Sequence, residues 1–154
     1  MNERLSGWRS ALVIGATVAL VFAAGCSTIE RMTGRGEAMA QGSKVTLSGA
    51  EEVPPTGSRA SGSGTLAIAT DGAVSGSFKT TGVAATMAHI HLAPRGVNGP
   101  VIVPLTRSGD DTWLVPGGTK LTAKQLQAYQ AGNLYVNVHS AQFPGGEVRG
   151  QVKP

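Results

Sequence analysis

The sequence is poor in several residues on which common enzyme sites depend. It contains one cysteine, Cys26, and therefore cannot form an intrachain disulfide. Aromatic residues are few, and the 13 Lys and Arg residues form no basic run, so nucleic-acid binding has little support. Glu51 and Glu52 adjoin, but neighbouring strand residues point to opposite faces and make a poor acid–base pair. Neither a Gly-x-Ser-x-Gly elbow nor a phosphate-binding loop is present.

The N-terminal segment has the pattern of an export signal. Arg4 and Arg9 precede an uncharged apolar stretch over residues 11–24, which is shorter than the roughly 20 residues of a spanning helix and fits a signal peptide. Its ending, "FAAGC", resembles a bacterial lipobox, which predicts lipidation of Cys26 at the mature N-terminus. With Ser27 next, the resemblance implies retention at the outer membrane, facing the periplasm. An ordinary signal peptide with an incidental cysteine is the alternative.

The chain therefore divides into three predicted parts. Residues 1–25 are the lipoprotein signal peptide, residues 26–42 a flexible tether, and residues 43–154 a single domain. In the domain, glycine-rich alternating segments indicate short strands, and Asp71–Gly72 is a strong hairpin signal. Further strands are predicted in "ATMAHIHLA", "GPVIVPLT" and "NLYVNVHS". The pattern predicts an all-β fold, an antiparallel Greek-key-like sandwich or barrel.

One segment breaks the β pattern. "LTAKQLQAYQAGN" carries apolar residues at helical spacing, which predicts one short helix over about residues 122–131 that docks on the sheet. Thr122 and Gln125 fit a capping box, and Gly132 is a natural residue to follow the helix.

Strand parity places the chain's three histidines on one side. Side chains alternate between faces along a strand, so residues two apart share a face. The core face should carry Ala88, Ile90, Leu92, Val136, Val138, Val148 and Val152. The opposite face should carry Met87, His89, His91, Tyr135, Asn137, His139, Glu147, Arg149 and Gln151.

This arrangement predicts a metal site. His89 and His91 would lie roughly 7 Å apart on one strand face, where two imidazoles can close on one ion, and His139 would complete a three-nitrogen site. Imidazole suits zinc, copper, iron and nickel, and the affinity order favours Cu(II) among the divalent ions. Three histidines with an open position also describe a catalytic zinc site. The alternative is three solvated strand side chains.

Longer segments resemble a known family. "VTLSGAEEVPP", "AHIHLAPRGVNGPVIVPL", "LTAKQLQAYQAGNLY" and "LYVNVHSAQFPGGEVRGQV" together resemble the CHRD domain over about residues 44–153. That module was named for its repeats in chordin, an extracellular binder of growth factors, and it also occurs singly in bacterial secreted proteins. The growth-factor role does not transfer to a bacterial lipoprotein, so the resemblance implies a CHRD domain without assigning an activity.

A second resemblance bears on the chemistry. Copper–zinc superoxide dismutases are Greek-key β-sandwiches with a strand His-x-His, a later strand histidine and a glycine-rich turn before the last strand. The chain is similar in having "HIH", "VNVH" and "PGGEVRGQV" in that order, which implies that His89, His91 and His139 are copper ligands. It lacks that family's fourth copper-side histidine, its further zinc ligands and its disulfide. A copper-only or incomplete site is therefore implied, and export together with this resemblance favours copper over zinc.

Four other residues have predicted supporting roles. Met87 is a candidate thioether ligand for Cu(I), the alternative being packing under a loop. Glu147 would hydrogen-bond the second ring nitrogen of His139 across the hairpin, or be a surface cross-strand residue. Arg149 and Arg95 would attract an anion to a catalytic centre, or be ordinary solvated arginines.

Two functions of different classes agree with these residues. The first is an envelope lipoprotein that binds copper for metal handling or for superoxide dismutase-like redox chemistry. The second is a non-enzymatic adhesion or scaffolding module that binds a protein or polysaccharide, with incidental histidines.

Overall fold

The computed structural model describes residues 42–154, and the predicted signal peptide, the tether up to residue 41 and Cys26 lie outside this range. The strands in chain order are β1 (Ser43–Ser48), β2 (Ser61–Ile68), β3 (Val74–Thr81), β4 (Ala85–Leu92), β5 (Val101–Pro104), β6 (Thr106–Arg107), β7 (Thr112–Leu114), β8 (Leu134–Ser140) and β9 (Val148–Val152). A 3-10 turn, Gly49–Glu51, follows β1, and one helix, α1 (Ala123–Gln130), lies between β7 and β8. Within residues 42–154, no helix has the length and apolar character needed to cross a membrane.

The nine strands of this described region form one antiparallel sheet in the order β5-β4-β8-β9-β1-β2-β3-β7-β6. The sheet is nearly closed, because its edge strands β5 and β6 are separated in the chain by Leu105 alone. The Leu105 N–H donates to the carbonyl of Ala88, 2.9 Å away, on β4. Since one residue joins the two edges, the sheet has to curl until they meet. The predicted all-β antiparallel fold with one short helix is confirmed.

The interior of the curled sheet is the hydrophobic core. Leu47, Leu66 and Phe78 are fully buried on β1, β2 and β3. The residues that parity assigned to the core on β4, β8 and β9 are buried except Leu92, which is half-buried at the end of its strand. Period-two alternation therefore correctly predicted which side of these strands faces inward.

The local predictions around the turns also agree with the structure. Thr122 caps α1: its Oγ1 accepts from the Gln125 N–H at 3.3 Å, and the Gln125 Oε1 accepts from the Thr122 N–H at 2.8 Å. Gly132 follows the helix at a φ of 73°. Asp71 and Gly72 lie in the turn of the β2–β3 hairpin, where Gly72 has a φ of 88° that favours glycine.

Two features differ from the sequence predictions. The segment "GPVIVPLT", expected as one strand, is split between the two edges of the sheet at Leu105. The non-core face of β8 and β9 was expected to point outward, but all of β8 is buried and so is Arg149. Loops cover this face, because Arg149 reaches the carbonyls of Pro94 and Val97, and the Asn98 Nδ2 donates to the carbonyl of Val53. These loops create a second, polar interior beside the apolar core.

Candidate metal centre

The three histidines lie on the neighbouring strands β4 and β8. Antiparallel pairing sets Met87 opposite His139 and His89 opposite Asn137, so His139 is diagonal to His89 on the same face. The ring centroid of His89 is 5.5 Å from that of His91 and 4.9 Å from that of His139, while His91 and His139 are 6.2 Å apart. One ligand nitrogen from each ring can be chosen so that all three lie within 4.8 Å of one another. The predicted convergence of the histidines is therefore present in the structure.

Backbone carbonyls fix which nitrogens face the centre. The His91 Nδ1–H donates to the Gly99 carbonyl at 2.9 Å, and the His139 Nδ1–H donates to the Pro144 carbonyl at 2.9 Å. A carbonyl oxygen only accepts, so in both neutral rings Nδ1 carries the proton and Nε2 carries the lone pair. The His139 Nε2 lies 3.0 Å from the His89 Nδ1. Because the His139 Nε2 carries the lone pair, the His89 Nδ1–H donates to it in the metal-free protein. The donor set His89 Nδ1, His91 Nε2 and His139 Nε2 forms when the His89 proton moves to the His89 Nε2.

One of these nitrogens is left without a partner. Among the residues that the structure describes, the buried His91 Nε2 makes no hydrogen bond. Burying a polar atom without a partner is unfavourable, and such atoms are uncommon in folded proteins. A ligand bound between the rings would satisfy this nitrogen.

The environment keeps the three rings neutral. Burial, together with charge repulsion from the neighbouring His139 and His91, lowers the pKa of His89 from 6.5 to about 4. Burial also lowers the pKa of His91 and of His139, each of which is only 7% exposed. Metal ions bind neutral imidazole, so the site is in its ligand form at neutral pH.

The His91 ring packs against an aromatic ring from the neighbouring strand β8. The His91 ring lies parallel to the Tyr135 ring, with an interplanar angle of 8° and centroids 4.7 Å apart. On the Tyr135 ring lies the guanidinium of Arg149, with its Cζ 3.5 Å from the ring centroid. Arg149 is 1% exposed, in contrast to the surface position considered for it from the sequence. Whether it attracts an anion stays a prediction.

Glu147, Met87 and Arg95, the other residues predicted to support the site, differ in their burial and in their hydrogen-bond partners. Glu147 was predicted to hydrogen-bond the second ring nitrogen of His139, but its carboxylate accepts from the Ser58 Oγ at 2.6 Å. The partner of the His139 Nδ1 is the carbonyl of Pro144. Met87 is 47% exposed beside the histidine pair, and its role as a ligand stays a prediction. Arg95 is exposed and forms an ion pair with Glu51.

A buried carboxyl group, in contact with the Asn137 side chain and close to the charge of Arg149, was missed by sequence reasoning. Glu52 is 5% exposed, and its Oε1 has no hydrogen-bond partner within residues 42–154. Burial raises its pKa from 4.5 to about 7, although Arg149, the Val53 N–H and the Asn137 side chain each lower it. Glu52 lines a cleft of about 250 Å³ together with Asn98 and Pro144. In "AEEVPP" no local sequence signal distinguishes the buried Glu52 from its neighbour Glu51. Asn137, which contacts Glu52, was predictable, because strand parity places it on the same face as the histidines.

Comparison with known proteins identifies the domain. The family model of the CHRD domain matches residues 43–152. No curated protein and no solved structure gives a significant match to the chain.

Proposed function

The chain belongs to the CHRD domain family, and on that premise we propose that its domain binds one copper ion through His89, His91 and His139. The observation that carries the proposal is the buried, unpartnered His91 Nε2 beside two further imidazole nitrogens. A hydrogen bond from the His89 Nδ1–H satisfies the His139 Nε2, but within residues 42–154 no hydrogen bond satisfies the His91 Nε2.

The spacing of the nitrogens fits a bound transition ion. Two nitrogens that each lie about 2.0–2.1 Å from one ion are separated by about 3 Å, depending on the angle between them. The His89 Nδ1 and the His139 Nε2 are 3.0 Å apart. The carbonyls of Gly99 and Pro144 orient two of the rings through their second nitrogens, as is usual for metal-bound histidines.

The donor set favours copper over harder cations. Three imidazole nitrogens without a carboxylate are poor ligands for magnesium or calcium, and the affinity order places Cu(II) above zinc, nickel and iron. Met87, exposed next to His89, would add a soft thioether for Cu(I). Zinc is the alternative ion, and a direct competition titration decides between the two.

Copper retention by the purified chain tests the proposal. We expect the parent to keep about one equivalent of Cu(II) after desalting, with nitrogen ligands visible by EPR. The variants His89→Ala, His91→Ala and His139→Ala should each lose it, while Gln142→Ala, an exposed position, should not. If all three histidine variants retain copper like the parent, the site is refuted, and the adhesion or scaffolding function becomes the better interpretation.

The same protein distinguishes an enzyme from a carrier. Bound copper would supply one-electron redox chemistry, and the chain would either use it in a reaction such as superoxide dismutation or only handle the metal. His89 is half-buried beside the exposed Met87, so a small molecule can approach the centre from this side. If a superoxide assay on the copper-loaded chain gives no rate above that of free copper, the superoxide dismutase function is removed.

We further propose that Cys26 carries a lipid that anchors the protein at the outer membrane, facing the periplasm. The support for this is the "FAAGC" sequence and the apolar segment before it. Metabolic labelling with a fatty acid should mark the parent and fail to mark Cys26→Ser. Labelling of that variant would remove the anchor.

A further inference from the structure

Arg149 is a buried positive charge close to a proposed site for a positive ion, which is unusual because like charges repel. It is 1% exposed, and its guanidinium donates to the carbonyls of Pro94 and Val97 and to the side chains of Asn98 and Gln151, at 3.0–3.3 Å. Within residues 42–154, every one of these acceptors is neutral. Glu52 and Glu51 attract this charge electrostatically, but no carboxylate in this region accepts a hydrogen bond from the guanidinium. A buried cation whose hydrogen-bond acceptors are all neutral is costly to the fold. The charge itself therefore calls for an explanation beyond stability.

The guanidinium is connected to a metal-ligand candidate by direct stacking. Its Cζ is 3.5 Å from the centroid of Tyr135, whose other side lies parallel to the His91 ring at a centroid distance of 4.7 Å. Cation–π attraction is strong for a desolvated guanidinium on a tyrosine ring. Arg149, Tyr135 and His91 form a continuous three-layer stack.

The stack also holds the loop that orients His91. Arg149 binds the main chain of this loop at Pro94 and Val97. Farther along it, the Gly99 N–H donates to the Tyr135 Oη at 3.2 Å, and the Gly99 carbonyl accepts from the His91 Nδ1–H. A side chain at Gly99 would collide with the Leu92 carbonyl, so the loop passes close against β4 at this point. Both polar groups of Gly99 are thus fixed by members of the stack.

We propose that Arg149 is a positioning residue of the metal centre. Arg149 fixes the orientation of the His91 ring through Tyr135 and Gly99, and its positive charge favours bound Cu(I) over bound Cu(II). This inference rests on the proposed copper site. A positive charge repels an ion of charge two more than an ion of charge one. The two steps of the stack, 3.5 and 4.7 Å, place the guanidinium Cζ within about 8 Å of the His91 ring centroid. At separations of this order and an effective dielectric constant of about 20, this difference changes the ratio of the two binding constants on the order of tenfold. For a one-electron couple, tenfold corresponds to about 59 mV in reduction potential.

Three variants separate the two parts of the proposal. Arg149→Met removes the charge and the donors, whereas Arg149→Lys keeps the charge and loses the planar fork. Arg59→Met is the matched control, because it removes the same charge from an exposed position. The measurements are the Cu(I) and Cu(II) affinities from competition titrations, and the ¹⁵N chemical shifts of the His91 ring in the metal-free protein.

We expect Arg149→Met to lower the ratio of Cu(I) to Cu(II) affinity about tenfold and to lose the single Nδ1–H form of His91. Arg149→Lys should restore the affinity ratio without restoring the single ring form, and Arg59→Met should match the parent in both. If Arg149→Met behaves like Arg59→Met, the inference is wrong although the copper site stands. If the parent binds neither ion, the copper site fails, and the metal-free ¹⁵N spectra alone decide whether Arg149 positions His91.

A second substitution covers the case in which Arg149→Met does not fold. Tyr135→Phe keeps the stacked ring and removes the oxygen that accepts from the Gly99 N–H. It should leave the affinity ratio within twofold of the parent while the His91 ring populates both neutral forms. An unchanged ring spectrum in both Tyr135→Phe and Arg149→Lys would overturn the positioning role.

Discussion

Replacing Glu52 by glutamine should change how the stability of the domain depends on pH. The Glu52 carboxyl is 5% exposed and its Oε1 has no hydrogen-bond partner in the described part of the chain. Burial raises its pKa from 4.5 to about 7 in the folded protein. Between these two values the folded state binds more protons than the unfolded state, so the free energy of unfolding falls as the pH rises.

The size of the effect follows from the pKa difference. Each pKa unit corresponds to 1.36 kcal/mol, so full ionisation of Glu52 costs the folded state on the order of 3 kcal/mol. Glutamine resembles the protonated carboxyl and does not ionise. We therefore expect Glu52→Gln to match the parent near pH 4.5 and to exceed its unfolding free energy by on the order of 3 kcal/mol at pH 8.

Urea unfolding of both proteins at pH 5, 6, 7 and 8, with a chelator present, measures this difference. The histidines, whose pKa values are lowered by burial, destabilise the protein as the pH falls below 6.5, but they do so equally in both proteins and cancel. Asp110→Asn, at an exposed carboxylate, is the control and should show no such trend. If the Glu52→Gln difference is the same at pH 5 and pH 8, the folded state does not raise the pKa of Glu52.

Three further outcomes are expected. Gly146→Ala should lower the free energy of unfolding by roughly 2 kcal/mol, because Gly146 has a φ of 132° and an added Cβ would collide with Glu52. Gly145→Ala is the control: an added Cβ there meets open space, so urea unfolding should show little change. Thr122→Ala removes the helix cap and should lower stability by about 1 kcal/mol in thermal unfolding; an unchanged midpoint would show that the cap contributes nothing. Three imidazoles of ordinary pKa would lose roughly a thousandfold in copper affinity between pH 7 and 5.5. Because the pKa of His89 is about 4 and those of His91 and His139 are lowered, competition titrations should show a loss of less than about a hundredfold.

The parts of the fold that depend on neighbouring residues were predictable from sequence. Alternation in "ATMAHIHLA" and "LYVNVHS" correctly placed His89, His91 and His139 on one face, because side-chain direction in a strand has a fixed period of two. The Thr122 and Gln125 pair correctly predicted the start of the helix for the same reason, since a capping box involves one turn of chain.

The covering of the histidine face was not predictable in this way. Gly99 and Pro144 contribute carbonyls from loops whose position depends on long-range strand pairing, and a carbonyl carries no sequence signal. Arg149 reads as an outward-facing residue of the last strand, but the loop at residues 93–100 folds over it. Glu147, expected on His139, is instead bonded to Ser58, 89 positions earlier in the chain.

Diffraction from crystals of the copper-loaded chain, measured at the copper absorption edge, would locate the bound ion. A three-histidine copper site gives one anomalous peak at roughly 2 Å from the His89 Nδ1, the His91 Nε2 and the His139 Nε2. A peak bound elsewhere on the domain, or no peak between these rings in crystals that contain copper, would contradict it.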